Sequence, residues 1–472
     1  MTFTPVRRWL CVRIGGTAPI PTRPEQGDPE DLRRRALTAF LNRGRIRPQE
    51  PHKRKLQVHR FAVAISAICA LVLALPAHAD TTLNVFISSA LRPEVMRQAF
   101  DRFEAANPGI KIKAQLGGAT SDVQAQYLNT VMSAKDSTLD VLLLDIIRPA
   151  QFAATGWTVP LNKAVGNVPA LMQQYLPAYA EADMVDGKLV ALPAFADAMV
   201  LYYRKDLLDR YHLPVPKTWS QLAEEAKVIQ AGEKAPALQG LSFQGAPIEG
   251  TVCTFLLPYW SMGKTLVKNG HLTWSNDAAL KSFALWTGLV NEGVAPRNVA
   301  EIPTDQTRKD FEAGKAAFAV LWSYGWNLFQ GADSAVKGKV GVAELPAVDG
   351  GKRVSCIGGW QWGVSAYSRH KAEAVKLVKF LSSPDVSRLL AEKASLLPVF
   401  VKLYHDPELR QAVPWLGEAL PVLEAAQSRP VTPRYNDVSD VIRTQTNAVL
   451  AGSESPQDAA AQMQARLQRV LH

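Results

Sequence analysis

The sequence predicts an α/β protein of two lobes with a cleft between them. Three observations carry this reading. Residues 82–144 run strand, helix, strand, helix, strand. Further strands return after long helical stretches along the rest of the chain. The chain has 472 residues, and beyond about 250–300 residues a single hydrophobic core stops growing and chains divide.

The first strand is Thr82–Ile87, which alternates apolar and polar residues. Pro93–Asn107 follows at helical spacing through Val95, Met96, Ala99, Phe100 and Phe103, and Asn107-Pro108-Gly109 stops it. Ile110–Leu116 alternates again, Val123–Ala134 reads as a second helix, and Leu139–Leu144 as a buried parallel strand. Such alternation builds a parallel sheet with right-handed crossovers.

Two more strands are read at Lys188–Pro193 and Ala198–Tyr203. Thr218-Trp219-Ser220-Gln221 opens a helix to about Gln230. Helices follow at Ala278–Glu292 and Gln306–Ala313, then strands at Ala316–Trp322, Val340–Pro346 and Gln361–Val364. His370–Ser382 is a helix, and the tail is helical with breaks at Pro430, Pro433 and Pro456. The chain thus leaves one sheet near residue 197, builds a second, and returns near 345. One lobe is expected from 80–196 plus 346–396, and the other from 197–345 plus 397–472.

The N-terminal part carries a targeting signal. Lys53, Arg54, Lys55 and Arg60 flank an uncharged run from Phe61 to Leu75, and Pro76 ends it before Ala77-His78-Ala79. A basic flank, a short apolar run and a small-x-small triplet describe a secretory signal peptide at 58–79, cut after Ala79. The run is shorter than the roughly 20 residues that span a bilayer. Cys69 lies inside it, not at its end, which argues against lipid anchoring there. A signal belongs at an N-terminus, so 1–57 is expected to be a disordered leader or an over-extended start, with translation beginning near Leu56 or Val58.

Charge points the same way. The chain has 53 basic and 43 acidic residues, of which 1–79 holds 14 and five, leaving 39 against 38. The basic pI belongs to the leader, and a nucleic-acid partner read from net charge loses its basis. Only Cys253 and Cys356 remain beyond the signal. An oxidising compartment would let them pair. Placed on different lobes, however, they would lock the hinge, so they are expected to stay unpaired.

Catalytic motifs are wanting. Gly263-Lys264-Thr265 ends like a phosphate loop, but Pro258 stands where the first glycine belongs, and proline has no N–H to offer a phosphate. There is no G-x-S-x-G and no H-E-x-x-H. Five scattered histidines and two distant cysteines give no metal spacing, so neither metal nor cofactor is expected.

The positive signal is aromatic. Ten of the 11 tryptophans follow the signal, and several lie at strand ends beside glycine, as in Trp322-Ser323-Tyr324-Gly325-Trp326 and Gly358-Gly359-Trp360-Gln361-Trp362. Most tryptophans serve a core. Paired glycines before one, however, let backbone approach a ligand while the ring offers a flat apolar face. A sugar has such a face and a rim of hydroxyls that carboxylates can accept from. Candidate carboxylates are Asp145, at the carboxyl end of a strand where α/β folds bind ligands, Asp197 at the presumed hinge, and Glu94 at the start of the first helix. Each alone is more often a cap or a solvated charge.

These residues resemble the family 1 extracellular solute-binding proteins, the periplasmic sugar receptors of ABC importers, and within them the trehalose/maltose-binding type. The matching stretches are Leu144-Asp145 with Pro149–Phe152 and Gly156-Trp157; Ala191–Pro193 with Asp197 and Leu201–Leu207; Glu249–Cys253; Gly338–Gly341 with Leu345-Pro346; Gly358–Trp360; and Arg429-Pro430. The resemblance implies the type II periplasmic binding protein fold, its lobes joined by multiple hinge crossovers around a ligand cleft. It implies a sugar, such as the disaccharides trehalose or maltose, bound by cleft closure and passed to the transmembrane subunits of a permease. The ligand contacts it implies are Glu94, Asp145, Asp197, Trp322, Gly358, Gly359, Trp360 and Arg429.

Two departures bear on the sugar. A tyrosine usual two residues before the central Asp is Phe195 here, and an arginine usual in the second helix falls on Gln126 or its neighbour. The receptor is expected to be a periplasmic monomer and no enzyme. A glycoside hydrolase would also present two carboxylates to a sugar, and a polyol or polyamine receptor would use similar residues. Arg429 in the cleft argues against a cationic ligand.

Overall fold

The computed structural model describes residues 80–88, 92–118, 120–268 and 270–471. The expected leader and signal peptide lie outside them. Among the described residues no helix is long and apolar enough to cross a membrane.

The first unit is β1 (Thr81–Ser88), α1 (Pro93–Ala106), β2 (Ile110–Gly117), α2 (Ser121–Ser133) and β3 (Val141–Asp145). β1 pairs in parallel with both β2 and β3. Its alternation is used on both faces. Leu83, Val85 and Ile87 pack with Phe100 and Phe103 of α1 in one core, while Phe86 turns to Leu128 and Met132 of α2 on the other side. A sheet covered on both faces explains why β3 is buried at all five positions.

β4 (Leu192–Arg204) joins the halves of the molecule. The sequence reads it as two strands broken before Ala198; it is one 13-residue strand. A buried Asp197 looks like an interruption, but its carboxylate finds donors inside the fold and the strand continues. Upstream of Met199, β4 pairs with β8 (Ser355–Val364), which in turn pairs antiparallel with β3. From Met199 onward it pairs with β6 (Ala316–Trp322) and β7 (Val340–Ala343). β5 (Gln239–Ser242) extends β6 in parallel. β8 begins six residues earlier than the apolar pattern suggests, because Gly358-Gly359 masks the strand in sequence.

Residues two apart on a strand share a face. On β4 that face carries Phe195 into the first core and Met199 into the second. Asp197 lies between them, at the gap. The opposite face, with Ala196, Ala198, Val200 and Tyr202, packs in a third cluster with Val399, Phe400, Trp415 and Leu416 of the C-terminal segment.

The second core gathers α3 (Trp219–Glu233), α4 (Glu249–Ser261), α5 (Asn276–Asn291), α6 (Tyr435–Leu450) and α7 (Pro456–Val470). α4 escapes a sequence reading. All 13 of its residues are buried, so it shows no polar face and hence no 3.6-residue rhythm, and Pro258 sits inside it. Of these helices α4 reaches the gap between the first two cores, through Glu249 and Gly250.

Cys253 on α4 and Cys356 on β8 form a disulfide, with Cα atoms 5.8 Å apart. This corrects the expectation that they stay unpaired on separate lobes. The first residues of β8 reach into the second core, where both cysteines are fully buried. The bridge therefore ties neighbours within one core and does not cross the hinge.

Candidate functional site

Five strand positions, from four strands, converge between the cores. Asp145 ends β3 and pairs with Trp360 on β8. Gly358 of β8 lies opposite Asp197 of β4, and Trp322 ends β6 opposite Met199. Together with Gly359 and Arg429 they line one cavity, with about 820 Å³ of empty space, part of it open to solvent. Seven of the eight residues predicted from sequence are thus brought together. Glu94 is not among the lining residues. It is exposed on the first turn of α1 and paired with Arg92, which is the leading cause holding its carboxyl below the usual range.

Both glycines are demanded by geometry. A Cβ on Gly358 would stand 2.6 Å from the Trp322 ring, so the indole lies directly over the backbone there. Gly359 has φ +108°, and a Cβ would meet the Phe195 carbonyl at 2.6 Å.

Asp197 is held by one oxygen. Its Oδ1 accepts from the Ala198 N–H at 2.9 Å, the Ser323 N–H at 2.9 Å and the Ser323 hydroxyl at 2.5 Å. The Tyr179 hydroxyl donates to its carbonyl and accepts from its N–H, which pins the backbone as well. Oδ2 makes no hydrogen bond among the described residues. Burial pushes the carboxyl up to about 7 against the pull of the Ser323 and Ala198 donors, and the Asp145 charge adds to the rise.

Arg429 is 3% exposed. It donates to Glu249 Oε1 at 2.8 Å, to Asp145 Oδ1 at 3.2 Å and to the Ile357 carbonyl at 3.4 Å. Its guanidinium carbon stands 5.7 Å from the Trp322 ring centroid. Burial would lower its pKa, but the surrounding acids, Asp145 first, more than offset that and keep it firmly charged. Glu249 is saturated in turn by Arg429, the Tyr435 hydroxyl and the Ser439 hydroxyl. Arg429 is therefore a neutralised strut that sets Asp145 and Trp322 in place. The cation foreseen in the cleft is matched by two carboxylates.

The structure adds residues that sequence reasoning left out. Asp122, Glu249, Thr304, Asp305 and Tyr324 also line the cavity. Tyr324 lies within the same aromatic motif as Trp322, and Glu249 opens the helix that lacks periodicity. The two departures fall elsewhere. Phe195 is 2% exposed in the first core, and Gln126 is exposed on α2; neither is a lining residue. The cavity thus offers aromatic faces from Trp322, Trp360 and Tyr324. It also offers the second carboxylate oxygens of Asp145 and Asp197, and the Ser121 hydroxyl, which has no hydrogen-bond partner among the described residues. Among the described residues no cluster could hold a metal ion.

The chain is similar to known binding proteins over nearly all of its described length. A profile of bacterial extracellular solute-binding proteins matches residues 89–387. A probable ABC transporter-binding protein of Deinococcus radiodurans is 32% identical, over 87% of this chain and 98% of its own. The mannitol-binding protein of Pseudomonas aeruginosa is 25% identical, over 71% of this chain and 77% of its own. The structure of maltose-bound MalE3 of T. maritima superposes with a TM-score of 0.78 at 32% identity, covering 83% of this chain and all of that one. Those proteins bear out the two-lobed fold and the resemblance drawn from Gly358-Gly359-Trp360 and its companions. The chain belongs to the bacterial extracellular solute-binding proteins, the substrate-binding components of ABC transporters.

Proposed function

We propose that the protein binds a neutral polyhydroxylated solute, a disaccharide such as maltose or trehalose, and delivers it to the transmembrane subunits of an ABC permease from the periplasm. One observation carries this reading: Trp322, Trp360 and Tyr324 flank free carboxylate oxygens in a cavity whose cation is already neutralised. An anionic solute would find no unpaired cation at Arg429. A sugar would stack on the rings and donate its hydroxyls to Asp145 and Asp197. The protein does no chemistry on the solute. Contacts with both lobes favour the closed form by no more than the difference in affinity between the two forms. The maltose complex of the T. maritima protein supports the disaccharide. The mannitol-binding relative supports a polyol as the second reading.

Calorimetric titration of residues 80–472 with maltose, trehalose, sucrose, glucose, mannitol and spermidine tests the proposal. Heat from a disaccharide, lost in Trp360→Ala, is expected. Heat from mannitol alone would move the assignment to polyols, and heat from spermidine alone would overturn it.

A further inference from the structure

Beyond the solute cavity, one face of α6, which packs in the second core, makes polar contacts with α2 and with the segment after β3. Asn436 and Arg443 are seven residues apart, two helical turns, and so lie on the same side. At one end Arg443 forms an ion pair with Asp122 of α2. Asp122 Oδ2 also accepts from the Glu249 N–H at 3.0 Å, capping the first turn of α4 from the opposite side of the gap. At the other end Arg148 donates to the Asn436 side-chain oxygen, and the Asn436 amide donates to Gln151 Oε1 at 3.3 Å. Arg148 and Gln151 belong with the short helix Pro149–Ala154 that follows β3. Neither Asn436 nor Arg443 lines the cavity, while Asp122 does.

We propose that Asp122 and Arg443, with Asn436 as a second point, form a clasp that holds the cleft shut and so sets solute affinity without reading the solute. Asp122 is then a positioning residue. It fixes the start of α4, from which Glu249 reaches Arg429 and hence Asp145 and Trp322. The ion pair is only partly exposed, with both side chains at 25%, so it sits between the weak surface pair and the buried one.

The proposal rests on the solute-binding reading, and its test keeps the two apart. Arg443→Gln and Asn436→Ala are measured beside wild type in two ways. Small-angle scattering of the solute-free protein is expected to show a larger radius of gyration in both variants. Stopped-flow binding is expected to show dissociation of every solute faster by one common factor, about three- to tenfold for Arg443→Gln, with association no slower than in wild type. Asp122→Asn keeps an acceptor for the Glu249 N–H but loses the charge; combined with Arg443→Gln it is expected to add little to either single change. If no solute in the panel binds but the variants still expand, the clasp stands and the solute assignment falls. Wild-type dimensions and wild-type dissociation in Arg443→Gln would overturn the clasp. So would losses in Asp122→Asn that differ from sugar to sugar, which would make Asp122 a direct contact.

Discussion

Replacing both Cys253 and Cys356 with alanine removes a cross-link between residues 103 apart in sequence. In the chain-entropy account a loop of that length confines the unfolded state by about 4.7 kcal/mol. The described chain from Asp80 to Leu471 has about 390 residues, which at roughly 2.1 cal/mol/K each gives an unfolding entropy near 0.8 kcal/mol/K. The melting temperature should therefore fall by about 6 °C if the cores unfold together. Both cysteines are fully buried, and each is close in sequence to a cavity residue, Cys253 to Glu249 and Cys356 to Gly358. Solute affinity should weaken along with stability. Scanning calorimetry of wild type, oxidised and reduced, beside the double variant makes the comparison. A double variant that melts within about 1 °C of oxidised wild type would refute the reasoning, because the loop term would then be absent from the unfolded state.

Four further outcomes are expected. Asp197 has a folded-state pKa raised to about 7 from 3.8; its contribution to stability is present below the lower value and is lost as pH rises through the upper. Between those values wild type should lose stability relative to Asp197→Asn in denaturant titrations, while sugar binding by wild type should strengthen as the carboxylate forms. Gly359→Ala should cost at least about 1–3 kcal/mol in the same titrations, since the backbone there is left-handed and the Phe195 carbonyl leaves no room. Arg429→Met should destabilise by about 3–5 kcal/mol, because Glu249 and Asp145 stay buried without their partner, and adding Glu249→Gln should restore part of the loss. Glu94→Gln should leave calorimetric affinity within about twofold of wild type, because Glu94 faces solvent beside Arg92 and its exposed pair contributes little.

Local pattern determined much of this protein. The spacing of Val95, Met96, Ala99 and Phe100 is legible because one face of α1 meets a core and the other is open, and the alternation of Thr82–Ile87 because Leu83, Val85 and Ile87 face one core while Thr82 and Asn84 on the other face are not fully buried. The same logic failed at α4, where every face is buried and no rhythm survives, and at β4, where a single Asp inside an apolar run reads as a break. The Gly-Gly-Trp sequence pointed to a close approach, and the close approach is there, but only the fold supplied the Trp322 ring that makes Gly358 necessary. The cysteines were wrongly expected to stay apart, since pairing depends on a distance that was set only when β8 crossed from one core into the other. Arg429 was named as a cation in the cleft by the family resemblance alone. Its neutralisation by Asp145 and Glu249, 284 and 180 residues away in the chain, belongs to tertiary structure alone, because an ion pair needs two groups within a few ångströms and sequence separation carries no such information.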